Sequence, residues 1–227
     1  WVFLGTGFMS FGNYLYHLLM GRMLGVSLYG ALESMISALY ILSVPILTMT
    51  LVIIKFASSH KGRGEQDSIN GLYNFILNKL LIYGSIVFIL LILASPLIQS
   101  FLHLSSIWLA LSLPISFFIT LFYALNKSLL QGMSSFFKFS VLNFIESAVK
   151  VFFAVFLVYL GFKVDGAYGA VVLSIAAGLF VSFFYIKSVV KIGLRVKEKY
   201  LNAKDLLKFT FPTFFTSLAL ISIFTTD

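Results

Sequence analysis

Residues 139–160 read FSVLNFIESAVKVFFAVFLVYL, an apolar run broken by two charges, Glu146 and Lys150. At 1.5 Å per residue such a run makes a helix of about 33 Å, enough to cross a hydrocarbon core. Its apolar residues are continuous rather than alternating, and an open sheet edge has no place in lipid, so a strand is disfavoured. Asn143, Glu146, Ser147 and Lys150 follow at spacings of three, one and three and share one helical face. Lys150 stands about 18 Å along the helix from Lys138, close to the bilayer midplane. A charge there costs at least about 3 kcal/mol. Glu146 and Lys150, four apart in the favoured order, can partly neutralise each other. Two readings stand side by side: a polar face lining a substrate or ion pathway, or a buried pair that fixes helix packing. Intramembrane ionisable groups favour the first.

Outward from this run the same pattern recurs. Val2 to Met20, Met35 to Ile54, Leu80 to Ile98, Ile107 to Leu125, Ala167 to Ile186 and Phe209 onward are all candidate spans. The chain thus reads as an all-α integral membrane protein of about seven transmembrane helices. Composition agrees: 60% of the 227 residues are hydrophobic and 11% charged, and mean hydropathy is +1.02. A soluble domain carries roughly 25% charged residues. Pro45 and Pro114 fall within spans and predict kinks, whereas Pro212 suits a first helical turn.

The net charge of +8 is distributed as a membrane topology, not as a nucleic-acid surface. Lys55, Lys61, Arg63 and Lys79 flank the second connection, Lys127 and Lys138 the fourth, and seven more basic residues from Lys187 to Lys208 the sixth. The odd connections carry only Arg22 and Lys163. The even connections are therefore expected in the cytoplasm, with a cytoplasmic N-terminus and a multi-pass location in the cytoplasmic membrane. Three parts are predicted: a six-helix lobe at 1–187, a cytoplasmic amphipathic linker at 188–208, and the start of a second lobe at 209–227. Ile192, Leu194, Val196 and Leu201 among the linker's charges suit a helix at the membrane surface, which Asn202 and Asp205 would cap; a solvated basic linker is the alternative. Because Trp1 opens inside an apolar run, the sequence reads as a piece of a longer protein.

Chemical motifs are sparse. There is no Cys, which removes disulfides and thiolate metal sites. His17, His60 and His103 lie on separate segments, and no phosphate-cradling glycine loop or His-Glu zinc pattern occurs. The outward connections, Gly21 to Ser34, Gln99 to Ser106 and Gly161 to Gly166, are too short for a catalytic domain, so no enzyme activity and no cofactor are expected. Asn126-Lys127-Ser128 matches a glycosylation acceptor on the cytoplasmic side, a chance match. The first helix carries a stripe of Thr6, Ser10, Asn13 and His17 at spacings of four, three and four. Thr6 and Ser10 need no more than backbone partners. Asn13 and His17 are candidates to line a cavity, where an imidazole can carry a proton. Snorkelling or mutual pairing accounts for Arg22 and Glu33.

Three segments resemble the polysaccharide-exporter branch of the multidrug/oligosaccharidyl-lipid/polysaccharide (MATE-like) transporter superfamily. Gly21-Arg22-Met23-Leu24-Gly25 through Tyr29-Gly30 looks like that family's turn between helices one and two. Leu130-Gln131-Gly132 through Lys138, Glu146 and Lys150 to Gly166-Ala167-Tyr168-Gly169 is similar to its fourth loop, fifth helix and fifth loop. Leu207-Lys208-Phe209-Thr210-Phe211-Pro212, with Asp227 later, looks like its entry into helix seven. The resemblance implies a MATE-like six-helix N-terminal lobe plus most of helix seven. It implies a flippase that moves a polyprenyl-linked glycan between leaflets by alternating access, coupled to a proton or sodium gradient. Asn13, His17, Asn143, Glu146 and Lys150 become the candidate pathway residues, with Lys150 facing the lipid's pyrophosphate. A cation or drug antiporter of the related branch is the nearest rival. A membrane-embedded polymerase or acyltransferase lacks the clustered His, Asp or Glu it would need.

Overall fold

The computed structural model describes residues 1–104, 106–191, 193, 211–217 and 219, which are almost entirely helical. The helices are α1 (Val2–Leu42), α2 (Val44–Gly62), α3 (Gln66–Lys79), α4 (Ser85–Leu93), α5 (Ser95–Phe101), α6 (Ile107–Gly132), α7 (Phe136–Leu157) and α8 (Lys163–Lys187). Single π-helical turns at Leu80–Gly84 and Val158–Phe162 join α3 to α4 and extend α7. Residues 211–217 are helical as well. The expected surface helix at 194–208 lies outside the described residues.

Among the described residues, four helical stretches are long and apolar enough to cross a bilayer: Val2–Leu42, Gln66–Leu93, Ile107–Gly132 and Phe136–Lys187. Two of them fold back on themselves. At Gly25 the backbone takes φ 72° and ψ 173°, a conformation without penalty only for glycine. His17 then meets Glu33, and Gly21 faces Tyr29, so the two arms of α1 are antiparallel. Gly161, at φ 93°, does the same for α7 and α8: Gly166 packs on Leu157, and Lys138 reaches Ser188. The described residues up to Lys187 therefore make six passes. Pro45 stands in the first turn of α2, just after the break at Ser43, as its expected kink requires. Pro114 is carried inside an α6 with no interruption.

The windows of the sequence end too early. The predicted outer connection Gly21 to Ser34 is helical apart from Gly25, and the fourth connection shrinks to residues 133–135. Charged residues stop a hydropathy window, yet Glu33 and Lys127 stay inside helices because each finds a partner on a neighbouring pass.

Small residues set the packing. The first arm of α1 runs parallel to α7, with Gly5 against Ser140 and Gly12 against Ser147, a seven-residue repeat on both sides. Such small-residue seams let membrane helices approach closely and hydrogen-bond across the gap. Ser140 Oγ donates to the Trp1 carbonyl at 2.8 Å and Ser147 Oγ to that of Phe8 at 3.4 Å. On the far side, α6 lies parallel to α8. Gly178 meets the Tyr123 ring, and the Asn126 amide donates to Ser182 Oγ at 2.9 Å.

Candidate functional site

The α1–α7 seam carries the polar groups inward. One residue beyond Gly12 is Asn13, and three beyond Ser147 is Lys150; the ammonium of Lys150 donates to Asn13 Oδ1. Below the same ammonium lies the Tyr16 ring, 5.4 Å to its centroid, a cation–π contact. Tyr16 is itself buried, and its hydroxyl donates to the Ala167 carbonyl at 3.0 Å. Lys150 is thus held from two sides, by an amide oxygen and by an aromatic face.

Glu146 does not pair with Lys150 as its spacing suggests. Its Oε2 accepts from Lys127 Nζ and from the Tyr123 hydroxyl, both at 2.9 Å. Lys127, expected in a connection, lies on α6 about 8 Å inside the helix end. Its ammonium also sits 5.0 Å above the Tyr123 ring and 5.7 Å from that of Phe139. The pair is well shielded, with side chains 18% and 13% exposed. Lys127 and Tyr123 are the residues that sequence reasoning missed. Their signal was present: Ser116, Tyr123, Asn126 and Lys127 line one side of the fourth span once that span runs to Gly132.

Asn143 is buried, and neither its amide nitrogen nor its oxygen has a partner among the described residues. Leaving such groups unmet costs about 1–3 kcal/mol. His17 does not join Asn13 and Lys150. Its Nδ1 lies 2.7 Å from Glu33 Oε1 and 3.0 Å from the Tyr29 hydroxyl, across the hairpin at Gly25. The Glu33 partner is therefore His17, and the candidate set divides into a seam at Asn13, Asn143, Glu146 and Lys150 and a separate outer cluster at His17. Of the polar stripe, Thr6 bonds its own backbone at Val2 O, 2.8 Å away. Asn126 is buried and accepts from the Tyr73 hydroxyl at 2.9 Å, as suits a chance sequon. No group of three or more metal-ligating side chains occurs among the described residues.

Between α1, α4, α5 and α6 a cavity of about 800 Å³ opens, lined by Ile41, Leu91, Ile98, Phe101 and Leu113 with Glu33 among them.

This arrangement, repeated apolar passes with charges held in their interior, defines a multi-pass membrane protein. No family model matches the chain, and no curated protein matches it. Solved structures do. A transporter of the multidrug/oligosaccharidyl-lipid/polysaccharide superfamily from Pyrococcus furiosus, described as having a binding pocket of reverse polarity that suggests a different function, superposes with a TM-score of 0.78 at 18% identity. That match covers 98% of this chain and 52% of that one. An outward-facing multidrug resistance MATE family transporter gives 0.75 at 18% identity, over 98% and 52%. An inward-facing one gives 0.69 at 18% identity, over 91% and 50%. The fold is that of a MATE-like helical lobe, and the chain spans about half the length of the transporters it matches.

Proposed function

We propose that this chain is one lobe of an alternating-access transporter that flips a lipid-linked oligosaccharide or polysaccharide precursor across the cytoplasmic membrane. In this reading residues 1–187 form the lobe, with a cytoplasmic N-terminus. Residues 188–208 are the linker, and 209–227 open a second lobe. The supporting observation is the α1–α7 seam, where Lys150, Asn13, Lys127 and Glu146 sit within apolar spans.

Two ammonium groups and one carboxylate leave the seam with a net positive charge. That sign favours a phosphorylated substrate over a cationic one. The polyprenyl pyrophosphate of a glycan carrier fits it, and the sequence resemblance to the polysaccharide-exporter branch points the same way. Asn143 adds an amide whose hydrogen-bonding capacity is unspent. A hydrated glycan crosses only where a polar cleft replaces lipid, and two lobes rocking about a midplane site open such a cleft to each side in turn. Lys150 and Asn13 would meet the phosphate, Asn143 the sugar or phosphate oxygens, while Glu146 positions Lys127. A proton or sodium ion would drive the cycle. His17, paired with Glu33, is the candidate residue for that coupling.

Replacing Lys150 with Ala in the full-length protein should abolish glycolipid export while leaving expression and insertion unchanged. Unchanged export, or disappearance of the protein from the membrane, would refute the assignment. One observation favours a second reading, an ion-coupled drug antiporter: the Glu33 carboxylate in a cavity of about 800 Å³ suits a lipophilic cation. In counterflow with proteoliposomes, uptake of the labelled glycolipid identifies the first reading and uptake of a lipophilic cation the second.

A further inference from the structure

Between α3 and α8, using none of the seam's residues, two cavities follow one another, the second backed by Ile119, Phe122 and Asn126 of α6. The first, of about 540 Å³, lies at the bundle end where basic residues gather and is lined by Gln66, Asn70, Lys187, Ser188 and Lys191. The second, of about 460 Å³, is lined by Tyr73, Leu77, Leu179, Phe180 and Phe183. On α3, Asn70, Tyr73 and Leu77 follow at three and four residues; on α8, Lys187, Phe183 and Phe180 follow at four and three. Each trio shares one helical face. From Lys187 to Phe180 the rise is about 10 Å. Over that distance the lining of the two successive cavities passes from cationic to apolar, as a phospholipid passes from phosphate to acyl chain.

We propose that the two cavities together hold an anionic phospholipid, its phosphate between Lys187 and Lys191 and one acyl chain along Phe183 and Phe180. The cations stand ready at the boundary of the apolar surface: the Lys187 ammonium lies 4.4 Å above the Phe183 ring. Lys138 donates to Ser188 Oγ at 3.1 Å and adds a third positive charge beside the first cavity. Nearby acids are few. Glu65 is engaged by His60, and Asp67 opens α3. Phe180, 66% exposed, marks this flank as one that meets lipid.

The headgroup end is built before any ligand arrives. Gln66 Nε2 donates to the Val189 carbonyl at 2.8 Å, and Asn70 Oδ1 accepts from Lys191 N at 3.2 Å. Asn74 holds the same segment by donating to the Lys191 carbonyl at 3.0 Å and accepting from Gly193 N at 2.9 Å. The segment leaving α8 is thereby fastened to α3 with its lysines directed by a fixed backbone. Basic pockets between membrane helices on the cytoplasmic side are a known mode of anionic headgroup recognition. A free phosphate would use only the first cavity, and a zwitterionic lipid would gain nothing from the lysines.

The test uses the full chain, delipidated in detergent and titrated with phosphatidylglycerol or phosphatidylcholine under native mass spectrometry. One phosphatidylglycerol should be retained per protein at a concentration at least tenfold below that needed for phosphatidylcholine. Lys187→Gln with Lys191→Gln should erase that preference, whereas Lys187→Arg should keep it. Leu77→Trp, which fills the apolar cavity, should weaken both lipids. Lys163→Gln, at the opposite end, should change neither, and thermal unfolding confirms that each variant is folded. Equal retention of the two lipids, an undiminished preference in the double Gln variant, or equally effective displacement by millimolar inorganic phosphate would overturn the proposal.

Discussion

Gly12→Ala probes the contact that brings the seam together. A Cβ at Gly12 would lie 1.7 Å from Ser147 Oγ, 3.0 Å from Ser147 Cβ and 3.7 Å from its Cα. Rotation of the serine side chain can withdraw the oxygen, at the loss of its bond to the Phe8 carbonyl. The Cβ remains several tenths of an ångström inside ordinary carbon contact, which is about 3.5–4.0 Å. Forcing one extra methyl into a close-packed seam costs about 1–3 kcal/mol. Relief should be graded. Ser147→Ala removes only the oxygen and should restore part of the loss; Ser147→Gly removes the Cβ as well. The second suppressor should return most of the stability, less about 0.5–1 kcal/mol for glycine in a helix. Chemical unfolding in detergent of the single and double variants, read as a double-mutant cycle, measures the coupling. Export should follow the same order, because Asn13 and Lys150 lie one and three residues beyond the contact. Additive effects, or a Gly12→Ala protein as stable as the wild type, would show that α1 and α7 do not touch here.

Breaking the Lys127–Glu146 pair from one side, by Lys127→Met or Glu146→Gln, should cost about 3–5 kcal/mol, because the remaining group loses its buried partner. Lys127→Met combined with Glu146→Leu should recover most of that stability in the same unfolding assay yet remain inactive in export. At the α2–α3 turn, the hydrogen bond from His60 holds the Glu65 carboxyl below the usual carboxylate range. A lowered carboxylate pKa contributes stability above the ordinary carboxylate value and loses it as pH falls through the lowered one. Hydrogen exchange at residues 63–66 should therefore lose protection in acid, relative to a Glu65→Gln protein whose protection is flat across the same range.

The spans were legible in the sequence because about twenty continuous apolar residues have no other solvent to face. Their ends were not legible, since a hydropathy window stops at the first charge while the helix stops only where its backbone must turn. Gly25 and Gly161 mark those turns by their positive φ, and Glu33 and Lys127 lie inside helices that the windows cut short. Both charges are tolerated through partners distant in sequence, His17 and Glu146, and no local pattern announces such a pair.

The stripe on α7 shows the same limit from within one helix. At 100° per residue, Asn143, Glu146, Ser147 and Lys150 occupy an arc of about 100°, with Glu146 and Ser147 at its two edges and Lys150 between. In a bundle that arc is wide enough to address different neighbours. Ser147 reaches α1, Glu146 reaches α6, and Lys150 falls to Asn13 and Tyr16. The intrahelical Glu146–Lys150 pair, worth about 0.2–0.5 kcal/mol where such pairs are exposed, competes against two donors on α6 at 2.9 Å. It loses. Lys150 is left as a cation held by neutral groups alone, an amide oxygen and an aromatic face. Neither group carries a charge that would cancel the ammonium's, which is the condition a seam must meet if an anionic substrate is to displace Asn13 and bind there.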